Sequence, residues 1–183
     1  MKSNFTFKIY NEFNNELNTI WEQIEDNENI FFYQRFLYIQ SLVKTFGIKN
    51  YSIVTIYNNS ILVAILPLEL KTIRTIKILQ WLGTNISDYC SPIILKKNVF
   101  NDEEFIIIWN KILKQLGNYD IIYLNKQPEN IFKLPNPFVE FLKNTYHSKV
   151  FQIKLYENNV DYLTTLKNKK FTTEFLRIKK KLL

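Results

Sequence analysis

"YSIVTIYNNSILVAILPLELKTIRTIKILQWLG", residues 51–83, is the segment on which the fold turns. Its first run, from Tyr51 to Tyr57, is apolar and rich in β-branched residues, as is the run from Ile61 to Leu70. Between them stand Asn58, Asn59 and Ser60, residues that tolerate the left-handed backbone of a tight turn. The pattern predicts a β-hairpin. Pro67 has no N–H to give to a ladder, so it is expected at an edge or a bulge. Residues 72–83 are expected to continue as a third antiparallel strand, leading into "LQWLGTNISDYCSPIIL", residues 79–95, which reads as strand, loop and short strand.

Working outward, "FTFKIY" (residues 5–10) alternates apolar and polar residues and predicts a strand. Phe13, Leu17, Ile20, Trp21 and Ile24 then recur at helical spacing. A second helix is expected over residues 31–47, with Phe32, Phe36, Ile39, Val43 and Phe46 on one face and Gly47 closing it. On the other side, residues 102–117 predict a helix with acids at its start, lysines near its end and Gly117 to stop it, both charges suiting the helix dipole. "YDIIYLNKQ" (119–127) reads as a short buried strand, Pro137 opens a helical turn, residues 147–157 read as a last strand, and the remainder as a basic helix. This order predicts an α/β fold, a central mixed sheet with helices on both faces.

Bulk numbers set the limits. At 183 residues and 46% hydrophobic content, one domain with an ample core is expected, and three glycines with five prolines argue against a disordered chain. Cys90 is the single cysteine and has no internal disulfide partner; with no leader-like N-terminus this points to a reducing, cytoplasmic setting. No apolar run approaches the ~20 residues of a spanning helix, so no membrane span is expected. From Asp161 to Leu183 the chain carries seven bases and two acids, which is most of the net charge of +7. Charge runs of this kind are usually solvated helix faces, and attraction to an anionic partner is the alternative.

These elements and residues resemble the GNAT superfamily of acyltransferases, and more narrowly the N-terminal half of the CelD/BioF2-like acetyltransferases, related to the tandem-GNAT Fem aminoacyl transferases. Three places carry the likeness: the aromatic helix of residues 29–47, the hairpin followed by Leu82-Gly83 and then Ser87-Asp88-Tyr89 and Pro92, and the basic helix from Val160. Two positions depart from the family's pattern. Phe36-Leu37 stands where a tryptophan is frequent, and Ser91 where an acid commonly precedes the proline. The resemblance implies a GNAT-like domain over residues 1–156 and a helix over 157–183 linking to a second GNAT domain in cis, absent from this sequence. It also implies acyl-CoA (acetyl-CoA) as co-substrate and an amine or hydroxyl acceptor, such as a sugar or a cell-envelope precursor. The alternative is a non-catalytic GNAT-like module holding an anionic partner through its basic helix.

The cofactor cradle of such enzymes needs clustered glycines at a helix N-terminus, so that the backbone can approach a pyrophosphate. Gly47, Gly83 and Gly117 are far apart, and the helix from residue 102 opens on acids. The cofactor site is therefore expected in the second domain. Ser87, Asp88 and Tyr89 are the candidate substrate-binding residues. Asp88 is also a candidate general base, with the alternative that it accepts backbone N–H bonds in its own loop while Tyr89 packs. Cys90 reads as a small buried residue rather than a nucleophile; the lone His147 stands far along the chain, and one His with one Cys cannot fill a tetrahedral metal site.

Overall fold

The computed structural model describes residues 4–25, 30–96 and 99–145, together with Thr173, Glu174 and Arg177. The chain divides into two compact units, Met1–Asn144 and Thr145–Leu183. In the second unit Thr173, Glu174 and Arg177 are helical, and Arg177 donates to Glu174 at 2.6 Å. The expected last strand, His147 and most of the expected basic helix lie outside the described residues.

The first unit is an α/β domain. Its strands are β1 (Phe5–Tyr10), β2 (Tyr51–Asn58), β3 (Ile61–Ile73), β4 (Ile76–Trp81), β5 (Ile93–Ile94), β6 (Ile121–Tyr123), β7 (Asn130–Ile131) and β8 (Leu134–Pro135). Its helices are α1 (Asn15–Glu25), α2 (Phe36–Phe46), α3 (Asp102–Leu116) and the single turn α4 (Pro137–Glu140). Among the described residues a six-stranded mixed sheet runs β1–β2–β3–β4–β6, with β5 also on β3. Every pairing in it is antiparallel except β4 with β6, which α3 joins as a parallel crossover.

The predicted hairpin forms as read. Asn59 and Ser60 both take positive φ, 49° and 66°, the geometry a two-residue turn needs to match strand twist. Pro67 departs from expectation. It sits opposite Ile53 within β3, the sheet's central line, rather than at an edge. The reason lies on its other flank. There β4 pairs up to Trp81 opposite Leu68, and β5 resumes at Ile93 opposite Ile65. The two strands are collinear halves of one line, and residues 82–92 leave the sheet between them. The carbonyl of Pro67 still accepts from Leu82 N at 3.0 Å, so its donor-less nitrogen faces the place where the neighbouring strand departs.

A second tight turn, Arg74-Thr75, divides the expected third strand, with Ile73 opposite Ile76 and Arg74 at φ 57°. No glycine, asparagine or proline marks it. The expected buried strand is β6, and Ile121, Ile122 and Tyr123 are in fact 47%, 39% and 48% exposed. Among the described residues β6 pairs only with β4 and forms the sheet's end.

Side-chain alternation splits the core by face. Val54, Ile56, Leu66, Leu68, Leu79 and Trp81 meet α3 and α4 through Phe105, Ile108, Trp109, Ile112 and Phe138. Phe138 is their hub, edge-on to Trp81, Phe105 and Trp109 at 5.0–5.1 Å. Ile53, Ile65, Leu82 and Ile93 meet α1 and α2 on the opposite face through Leu17, Trp21, Phe36, Ile39 and Leu42. All three tryptophans are core, as read. Phe32 and Phe46 are not, and both rings are exposed: a 3₁₀ turn over Phe32–Gln34 takes Phe32 out of the helical register, and Phe46 is the last residue of α2. Gly47 closes α2 in the left-handed conformation. No described helix is long and apolar enough to cross a membrane.

Candidate functional site

The excursion of residues 82–92 carries Ser87, Asp88 and Tyr89, and its own backbone bonds shape it. Thr84, Ile86 and Ser87 donate back to Trp81 and Gly83 carbonyls at 2.9–3.2 Å, winding a tight turn at once after β4. Gly83 takes φ 84°, and a Cβ there would lie 2.9 Å from Leu42 Cδ1 and 3.2 Å from Ser87 Oγ. The glycine lets the turn lie directly on α2.

Ser87 is buried and pinned. Its hydroxyl is 3.1 Å from the Tyr38 hydroxyl, and its carbonyl accepts from Lys126 Nζ at 2.9 Å. Cys90 N donates to the Lys126 carbonyl at 3.1 Å. A buried strut lies behind. Gln34 accepts from Phe31 N at 2.9 Å and donates to Ser91 Oγ at 3.0 Å and to the Pro92 carbonyl at 2.8 Å. The Gln34 carbonyl in turn receives the Trp21 indole N–H at 2.9 Å.

Asp88 projects from between these fixed points and is exposed. Its Oδ2 lies 3.5 Å from the Tyr33 hydroxyl, the outer limit for a hydrogen bond. The expected alternative, Asp88 capping its own loop, is not what the loop uses. Those N–H groups go to main-chain carbonyls, and the carboxylate is left facing outward. Tyr89 does pack: its ring stacks on Phe31 at 5.5 Å, and Phe31 stacks on Phe132 at 4.5 Å. Tyr33, Tyr38 and Phe32 form an edge-to-face group beside them, with centroids 5.1–6.0 Å apart. Burial of the Tyr33 phenol and then the Asp88 carboxylate raise the Tyr33 pKa above its ordinary value.

Sequence reasoning placed Ser87, Asp88 and Tyr89 on one loop and missed the partners: Tyr33, Tyr38, Lys126 and Phe132 come from three other segments. One signal was available. Residues 31–38, "FFYQRFLY", hold more rings than a single buried helix face can cover.

Cys90 is buried, and desolvation pushes its thiol up to about 11, against smaller opposing effects of Thr84 and Lys126. It is a core thiol. Among the described residues no His, Cys, Asp or Glu group is arranged to hold a metal ion. A half-open cavity of about 250 Å³ lies elsewhere, floored by Leu68, Leu70, Leu79 and Leu116 near Lys49, and it shares no residue with the loop.

The start of α3 bears on the expected co-substrate. Asn101 Oδ1 accepts from Glu104 N at 2.9 Å, and Glu104 Oε2 accepts from Asn101 N at 3.3 Å. With Asp102 and Glu103, three carboxylates crowd the first turn. The capping bonds take two of the N–H groups at this end, and its three carboxylates oppose an anion such as a pyrophosphate. No family model, curated protein or solved structure matches the chain.

Proposed function

We propose that this chain is the acceptor-side half of a GNAT-type acyltransferase of the CelD-like kind. The whole protein moves an acyl group from acyl-CoA to an amine or hydroxyl on a small molecule, such as a sugar or a cell-envelope precursor. The observation that carries the reading is the element order. Two helices stand between β1 and β2, three antiparallel strands follow, and a crossover helix leads to a strand parallel to β4. This is the order on which the resemblance rests. Ser87-Asp88-Tyr89, its most specific motif, stands on the loop that follows β4, and binding residues favour loops held by a rigid scaffold.

The residues present do not fit the CoA pyrophosphate at α3, so donor binding is assigned to a second domain in cis. On the acceptor side we assign the roles that this geometry supports. Ser87 is the fixed base of the loop, Tyr89 supplies an apolar wall, and Asp88 accepts the hydrogen bond of the attacking amine or hydroxyl and takes its proton.

Isothermal titration tests the assignment. The 183-residue chain is expected to bind acetyl-CoA poorly, and a chain with a second GNAT domain attached to bind it well. Tight binding by the short chain alone would overturn the division of labour.

A further inference from the structure

We infer that the surface around Asp88 binds a neutral saccharide, with one pyranose ring lying against the aromatic stack of Tyr89, Phe31 and Phe132. For identifying that saccharide as the acceptor, the inference rests on the acyltransferase reading; the binding itself does not depend on it.

Three observations lead there. The first is exposure. Phe32 is 64% and Phe132 41% exposed, although three separate segments converge on this patch and had the chance to bury them. Contiguous exposed aromatic surface marks an interaction site.

The second is strain at Phe132. This residue turns the β7–β8 hairpin with φ 56°, a left-handed backbone that bulky side chains rarely adopt and that asparagine or glycine would suit better. The turn holds an unfavourable residue, and that residue's ring caps the stack at 4.5 Å from Phe31. Strain kept at an exposed aromatic points to a use for the ring.

The third is charge. Asp88 contributes the carboxylate, but Lys126 is anchored by its ammonium to the carbonyl of Ser87, the preceding residue. With an ammonium fixed on the carbonyl of the residue before the carboxylate, an organic cation meets like charge as well as opposite charge here. The rings also pack against each other rather than leaving a cation-sized space between them. A sugar suits both features. Its C–H face carries slight positive polarisation and meets the negative face of an aromatic ring. Its rim hydroxyls find an acceptor in the Asp88 carboxylate and a donor or acceptor in the Tyr33 phenol.

The test is titration of this chain, without acyl donor, by calorimetry and saturation-transfer NMR. The probes are cellotetraose, triacetylchitotriose and tetramethylammonium chloride. At least one oligosaccharide is expected to bind, with ring C–H protons saturated from aromatic resonances, while tetramethylammonium does not. Phe132→Asn suits the strained turn, so it should keep or raise stability while weakening binding roughly tenfold or more, the loss of a good contact; Asp88→Asn should weaken binding in the same direction. Binding of tetramethylammonium alone, no binding of any probe, or unchanged oligosaccharide binding by Phe132→Asn would each overturn the inference. The two readings also fail separately. Saccharide binding without acyl transfer by the two-domain protein sinks the enzyme and leaves this surface standing. Transfer to an amine without saccharide binding does the reverse.

Discussion

Gln34 Nε2 donates to the Pro92 carbonyl at 2.8 Å, a bond that ties the turn before α2 to the returning end of the excursion. The amide is 4% exposed and satisfied on both ends. Gln34→Leu would leave the Phe31 N–H and the Pro92 carbonyl without partners. Each buried orphan costs about 1–3 kcal/mol, so a total loss of roughly 2–5 kcal/mol is expected in urea denaturation. A loss below about 1 kcal/mol would mean that water replaces the strut.

Gly83→Ala is expected to destabilise by about 1–3 kcal/mol. The left-handed backbone disfavours any Cβ, and the added methyl meets Leu42 at 2.9 Å. A double variant with Leu42→Ala should recover the steric part but not the backbone part. Full additivity of the two single changes would show that the contact does not matter.

Cys90 should react with iodoacetamide only through opening of the domain. A thiol raised to about 11 and buried is almost wholly protonated and shielded at neutral pH. Labelling that tracks the unfolded fraction in urea is the expected result, and fast labelling of the native protein would contradict it.

Two pH limbs follow from the shifted groups. Hydrogen bonds from Lys8 and Tyr10 lower the Glu16 pKa below its ordinary 4.5. A depressed carboxylate stabilises the fold above 4.5, and that contribution is lost as pH falls through the folded-state value. Glu16→Gln should therefore flatten the acid limb. Tyr10 and Tyr51 are raised above 10.0, chiefly by desolvation. A raised phenol contributes fully below 10.0 and loses that contribution as pH rises through its folded value. Stability should fall on that side as well. An acid limb unchanged by Glu16→Gln would remove Glu16 from the account.

Asp88→Asn should lower the Tyr33 phenol pKa without returning it to the ordinary value. The first cause of the shift is burial, which remains; the second is the Asp88 charge, which goes. Tyrosine-selective NMR titration, with Tyr33→Phe to assign the signal, reads this directly. A Tyr33 signal that does not move would place the carboxylate farther from the phenol in solution.

Period and turn chemistry made much of the fold legible. The β2–β3 hairpin is announced by Asn59 and Ser60, and α3 by its acids and Gly117. What stayed hidden has physical causes. The turns Arg74-Thr75 and Phe132-Lys133 each place their first residue in the left-handed region, and neither Arg74 nor Phe132 is a turn former, so no local preference marks them. The exposure of β6 is a matter of neighbours, which apolar content does not encode. Pro67 was misplaced because its local rule holds and its context does not: a central strand accepts a proline where the next strand is missing. At the site, Asp88 stood out as an acid between apolar runs, but Tyr33 lies 55 residues away and Phe132 on a hairpin with no signal of its own.

Because β4 and β5 lie on one line along β3, the sheet counts only the residues before and after the excursion, not those within it. Residues 82–92 thus form a cassette clipped at both ends to a single strand, at Leu68 and Ile65. Doubling the length of such a closed segment costs only about 0.6 kcal/mol in loop entropy, so its exposed part, Asn85, Ile86 and Asp88, can be enlarged while strand register is untouched. Its buried members Leu82, Gly83, Ser87 and Cys90 stay tied to the helices and the sheet, so variation at no cost to the core is confined to the exposed tip.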